Sequence, residues 1–199
     1  MEQVRSFIAI ELPDGVKRGL RELQAQLKES SQAPIKWVDP ANIHLTLKFL
    51  GNVAADRLNE ITAAMTQAVQ GTPSFSLKLQ DLGVFPNPRR VQIVWVGVGG
   101  EVEKLARLQQ RVESGLEKLG FPPEGRRFTP HLTLARLRDR ATPEERQRLG
   151  QLIAETEFDA APSFIADSVK LMKSQLTREG PIYSQISSVA LKPLPTKEA

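Results

Sequence analysis

The chain contains two histidines, His44 and His131, and each opens the same tetrapeptide, His-Leu-Thr-Leu, at His44–Leu47 and His131–Leu134. Histidine is the side chain whose ordinary pKa, about 6.5, lets it take and give protons near neutrality. A chain that uses it only twice, in one repeated context, points to a single site built from two equivalent halves. Along a β-strand, side chains alternate between faces. In each copy the His and Thr therefore share one face, and the two leucines anchor the other in a core. An imidazole and a hydroxyl on one face can hydrogen-bond the same small anion, which makes Thr46 and Thr133 candidate phosphate-binding residues. A half-buried strand with a polar face is the plainer reading of one such tetrapeptide. Two copies holding every histidine favour the shared site.

Two imidazoles across a cleft suit push–pull proton transfer: one takes a proton from the attacking group, the other protonates the leaving group. Phosphodiester cleavage needs both acts, with cations and hydroxyls to hold the charge on the phosphoryl oxygens. The same alternation places Lys48 on the face of His44 and Thr46. It places Arg127 and Thr129 on the face of His131 if that strand begins early enough. Arg136 falls on the opposite face unless a bulge shifts the register. For each cation the alternative is a solvated surface charge.

Other chemistries lack their residues. There is no cysteine, which excludes thiolate nucleophiles, disulfides and cysteine zinc sites. Neither histidine has an adjacent Asp or Glu, so a metal ligand set is incomplete, and no metal or cofactor is expected. A nucleophile elbow and a Gly-rich phosphate loop are both missing.

Alternating elements must carry these residues. Arg5–Leu12 reads as a strand, and Pro13-Asp14-Gly15 as a turn. Val16, Leu20, Leu23 and Leu27 recur at helical spacing up to about Glu29. Ile35–Val38 is a short apolar stretch. Ile43–Leu50 is the first motif strand, stopped by Gly51-Asn52. Ala54–Val69 reads as a helix, Phe75–Leu82 as an alternating strand, Phe85–Pro88 as a loop and Val91–Val98 as an apolar strand. After Gly99-Gly100, Val102–Leu119 is a helix with Leu105, Leu108, Val112 and Leu116 on one stripe. Phe128–Leu137 holds the second motif. Thr142-Pro143-Glu144-Glu145 is a helix start with cap, Pro and capping-box Glu in place, running to about Glu155. Phe158–Ala161, Ile165–Gln175 and Tyr183–Leu191 supply the last strands, and Lys192–Ala199 reads as a frayed tail.

The expected fold is α+β and bilobal. Two pseudo-symmetric lobes in one domain spanning 1–199 each carry a mostly antiparallel sheet with outer helices, and the site lies in the cleft between them. The 199 residues are enough for a substantial core. A net charge of +4 leans toward anionic partners. The start lacks the pattern of a signal peptide, and no apolar run reaches the roughly 20 residues of a membrane span. A cytoplasmic monomer with no membrane partner is expected.

The two His-x-Thr motifs resemble those of the 2H phosphoesterase superfamily. Arg5–Ile10, Asn42–Gly51, Phe85-Pro86 with the following strand, Phe128–Arg136 and the late Ser174, Gly180 and Tyr183 resemble its RNA 2′,3′-cyclic phosphodiesterase (2′-5′ RNA ligase) family over nearly the whole chain. The resemblance implies a metal-independent site between lobes. It implies hydrolysis of 2′,3′-cyclic phosphate RNA ends, tRNA fragments among them, to 2′-phosphate. It also implies joining of such ends to 5′-hydroxyl ends. On it, His44 and His131 are catalytic, with His131 as base and His44 as acid, an assignment that pseudo-symmetry makes reversible. Lys48, Arg127, Phe85 and Tyr183 are candidate substrate-binding residues. A non-catalytic RNA-end binding module and a phosphodiesterase for a small cyclic nucleotide are the alternatives.

Overall fold

A computed structural model describes residues 2–158, 163–178 and 180–193. The elements run β1 (Gln3–Glu11), α1 (Asp14–Ser30), β2 (Ile35–Trp37), β3 (His44–Ala54), α2 (Leu58–Val69), β4 (Phe75–Phe85) and β5 (Ile93–Gly100). They continue with α3 (Val102–Glu117), β6 (His131–Leu137), α4 (Pro143–Glu155), β7 (Phe164–Ala166), β8 (Ser168–Leu176) and β9 (Pro181–Ala190). The helices form where apolar residues repeat every three to four positions: Val16, Leu20, Leu23 and Leu27 of α1 are buried, as are Leu105, Leu108, Val112 and Leu116 of α3. The cap of α4 forms as its sequence requires. Thr142 Oγ1 accepts from Glu145 N, and Glu145 Oε2 accepts from Thr142 N.

The strands make two antiparallel sheets, ordered β3-β1-β8-β9 and β2-β6-β5-β4-β7, one motif strand in each. The α+β, two-lobed architecture expected from the sequence is present, but the lobes are not the two halves of the chain. β4, from the first half, lies beside β5 in the second sheet; β8, from the second half, lies beside β1 in the first. The first half thus lends β2 and β4 to the second sheet, and the second half lends β8 and β9 to the first. One continuous core results, joining Ile8, Leu45 and Leu47 of the first sheet to Val94, Val96, Leu132 and Leu134 of the second.

Several boundaries differ from the sequence reading for local reasons. β3 does not stop at Gly51-Asn52 but continues to Ala54, still paired with β1; Gly51 has φ +71°, which glycine adopts without cost. β6 begins at His131, directly after Pro130, which has no N–H for the ladder. Lys192 is not frayed: its N–H donates to Thr72 O, and its carbonyl accepts from Ser74 N. Residues 194–199 of the expected tail lie outside the described residues. Phe158 is in no strand, and the rest of the stretch to Ala161 is likewise outside them.

Candidate active site

Both motif strands begin with the alternation that the sequence predicts. Leu45 and Leu132 are fully buried, while His44, Thr46, His131 and Thr133 are half-buried on the opposite face. The alternation then breaks at the same place in each. On β3, Thr46 pairs with Ala9 but Ile8 pairs with Lys48, so Leu47 is an extra residue. On β6, Thr133 pairs with Trp95 but Val94 pairs with Ala135, so Leu134 is the extra residue. A bulge of this kind puts two successive side chains on one face and reverses the alternation beyond it. Leu47 and Lys48 are accordingly both buried, as are Leu134 and Ala135, and Phe49 and Arg136 emerge on the histidine face.

The bulges correct two sequence expectations. Lys48 is not beside His44 but in the core, 3% exposed, where its Nζ donates to Glu113 Oε2 and to Pro122 O, each at 2.8 Å. Arg136 takes the place on the histidine face instead. It pairs across strands with Lys36 and Ile93, and its charge is felt by Tyr183 of the other sheet. Arg127 lies exposed in the loop before β6, outside the ladder, so strand alternation does not bring it to His131.

The two imidazoles are held alike. His44 Nδ1 lies 2.9 Å from Asn42 O, and His131 Nδ1 lies 2.7 Å from Thr129 O. A carbonyl only accepts, so in both rings Nδ1 carries the proton and donates, and Nε2 is left for chemistry. Aromatic rings fix each imidazole further. Phe7 stacks on His44 with centroids 4.5 Å apart, and Tyr183 meets it edge-on at 5.1 Å. Phe85 meets His131 edge-on, also at 5.1 Å, and Trp95 tilts beside it at 6.3 Å. Trp95 lies so close to Gly83 that a Cβ there would stand 2.1 Å from its ring. Phe85 and Tyr183, which the sequence offers as substrate contacts, thus each meet a histidine edge-on. Phe7 and Trp95 are site residues that the sequence reading misses. Their signal is strand pairing, since each lies on the strand next to a motif.

The surroundings of His44 set its charge. Burial pushes its pKa below the ordinary value; the Asn42 hydrogen bond and the Glu11 carboxylate oppose this, and Lys17 adds slightly to it. Glu11 is directly across from His44 on β1 and is ion-paired with Lys170. Burial also raises the Tyr183 phenol, while Arg136 and Arg5 pull it back. Among the described residues no three His, Asp or Glu side chains cluster as a metal site would require.

β3 and β6 touch, so the two sheets meet along the motif strands. Two sheets that each carry a His-x-Thr strand with its histidine held at Nδ1 define a two-histidine phosphoesterase architecture. The chain belongs to the LigT-like phosphoesterase family, whose sequence pattern matches residues 10–95 and again residues 96–183. It is 36% identical over 184 residues to an RNA 2′,3′-cyclic phosphodiesterase of Methanothermobacter thermautotrophicus, covering 92% of this chain and 97% of that protein. It is 37% identical over 169 residues to the enzyme of the same name from Aeropyrum pernix, covering 83% and 93%. Among solved structures, a protein of Thermus thermophilus superposes with a TM-score of 0.76 at 25% identity, covering 95% and 98% of the chains. E. coli LigT complexed with 3′-AMP superposes with a TM-score of 0.74 at 26% identity, covering 96% and 99%.

Proposed function

We propose that this chain hydrolyses RNA ends bearing a 2′,3′-cyclic phosphate to 2′-phosphate ends. The observation that carries the reading is the pair of equivalent imidazoles, each with Nδ1 tied to a carbonyl and each sharing a strand face with a threonine. Water attacks phosphorus while the bond to the 3′-oxygen breaks. His131 Nε2 takes the proton of the water, and protonated His44 gives one from Nε2 to the 3′-oxygen. In the free protein, burial favours neutral His44. The arriving phosphoryl anion favours the imidazolium, which in its desolvated place gives up its proton readily. Thr46, Thr133 and Arg136 stabilise the charge on the phosphoryl oxygens. A 5′-hydroxyl in place of water leads to a 2′-5′ linkage by the same proton transfers; hydrolysis dominates because water is far more abundant.

RNA, rather than a small cyclic nucleotide, is supported by the surface beside Arg136. An open groove of about 400 Å³ is lined by Lys36, Arg136, Leu137, Arg138, Asp139 and Arg140. Lys36 and Arg136 stand directly opposite each other across β2 and β6, an arrangement of like charges that costs stability unless an anion is shared. The ion pairs among the described residues are Lys48–Glu113, Arg57–Glu60, Lys104–Glu101 and Lys170–Glu11, so none neutralises the groove.

The test is incubation with a short RNA ending in a 2′,3′-cyclic phosphate, with chelator present. Catalytic formation of the 2′-phosphate end is expected. Stoichiometric binding without product would mean an end-binding module, and activity lost to chelator and restored by zinc or manganese would overturn the two-histidine mechanism.

A further inference from the structure

Two buried glutamines occupy equivalent places in the two halves. α1 buries Leu20, Leu23, Gln24 and Leu27, and α3 buries Leu105, Leu108, Gln109 and Val112, the same spacing with the same polar intruder. Gln24 is 1% exposed and Gln109 6%. A buried primary amide is costly unless its hydrogen bonds are made, so its recurrence on an otherwise apolar stripe calls for partners. The partners are the bulges. Gln24 Nε2 donates to Leu134 O at 3.0 Å and to Val38 O at 2.7 Å. Gln109 Nε2 donates to Leu47 O at 3.5 Å and to Glu113 Oε1 at 3.2 Å. Leu134 and Leu47 are the extra residues of the two bulges. Each glutamine therefore reaches across to the motif strand of the other half. On β6 the same carbonyl also accepts from Val38 N, so Gln24 ties the bulge to the end of β2. On β3, an edge strand, the other oxygen of Glu113 holds Lys48, the second bulge residue.

We propose that Gln24 and Gln109 are positioning residues: by holding the bulge carbonyls of β6 and β3 they keep Arg136 and Phe49 on the cleft face. Without the bulge, alternation would return position 136 to the core side and position 135 to the cleft. The charge beside the second motif thus depends on an amide that touches no substrate. For catalysis the inference rests on the reading of Arg136 as a phosphate contact.

Tyr183 is the only tyrosine in the chain, so its phenol can be titrated by ultraviolet absorbance without overlap. The charged or titratable groups acting on it are Arg136 and Arg5, and His44 packs against its ring. Removing the Arg136 charge should raise the Tyr183 pKa further. Gln24→Met, which keeps side-chain length and removes the donor, should raise it in the same direction. Added to Arg136→Ala, it should change nothing more. Circular dichroism over the same pH range separates titration from unfolding. In parallel, Gln24→Met should lower kcat/KM on cyclic-phosphate RNA by roughly 10- to 100-fold, the range expected for a displaced positioning group, and should cost nothing further in the Arg136→Ala background.

An unchanged Tyr183 titration in Gln24→Met, or a full additional effect on Arg136→Ala, would overturn the proposal. If Gln24→Met does not fold, Gln24→Asn withdraws the amide by one methylene and is measured the same way. Normal turnover by Arg136→Ala with the titration coupling intact would support the positioning role while removing Arg136 from the reaction.

Discussion

At the scale of single residues, His44 and Lys48 carry the clearest consequences. Burial lowers the His44 pKa, so in a nuclear magnetic resonance titration of the free protein its ring should titrate below 6.5, and inorganic phosphate should move it upward. The same shift acts on stability. With the folded pKa below the unfolded one, the unfolded chain takes the proton first as pH falls. Stability present above about 6.5 is then lost as pH falls through the folded value. His44→Asn should flatten that part of the stability–pH curve; an unaltered slope would show that other groups cause it. Lys48 sits four residues from a histidine yet pairs with Glu113 in the core. Lys48→Ala leaves the mostly buried Glu113 carboxylate with only its Gln109 hydrogen bond and should cost up to about 3 kcal/mol in denaturant unfolding, the lower end for breaking a buried pair. Normal stability with a weakened KM would instead return Lys48 to the substrate. Sequence periodicity could not show this. His-Leu-Thr-Leu-Lys and His-Leu-Thr-Leu-Ala contain no glycine or proline to announce a bulge, and the groups that hold it come from distant helices.

At the scale of elements, the motif strands act as rulers whose first four residues were legible and whose fifth was not. Alternation places Thr46 and Thr133 beside their histidines, as found. Thr→Val keeps the β-branched shape and removes the hydroxyl. Each variant should fold normally and lose kcat by up to about 10²-fold, the lower end for one oxyanion donor. Thermal melts alongside initial rates separate the two effects, and wild-type kcat would make the threonines strand formers only. The helices were legible because apolar spacing alone defines α1 and α3, and the capping box defines the start of α4. The glutamines on the stripes of α1 and α3 pass unnoticed in the same pattern. Their partners, Leu134 O and Leu47 O, are backbone atoms that no side-chain pattern reveals.

At the scale of the molecule, two equivalent halves are plain in the sequence, but the exchange of β2 and β4 for β8 and β9 between sheets is not. Local alternation says that a segment is a strand; it does not say which neighbour the strand takes. The exchange ties both lobes into one core, so the two motif strands, which touch, are held in a shared frame. On the proposed function, the groove beside Arg136 takes up the rest of a longer polyanion. Replacing Lys36, Arg138 and Arg140 together by Ala should raise KM for an RNA of several nucleotides. It should also reduce the salt dependence, by up to about one unit of log–log slope per lost phosphate contact. A 2′,3′-cyclic mononucleotide should be turned over as before; an equal loss on both substrates would remove the groove from RNA binding.

The central claim is that both imidazoles work as one acid–base pair, and single-turnover rates on a cyclic-phosphate RNA test it most directly. His44→Ala and His131→Ala should each fold and each lose about 10²–10⁴-fold, the contribution of one acid–base group. The double variant should be little slower than the slower single, because the pair acts as a unit. Near wild-type rates in either single variant, or fully multiplicative losses in the double, would contradict the account.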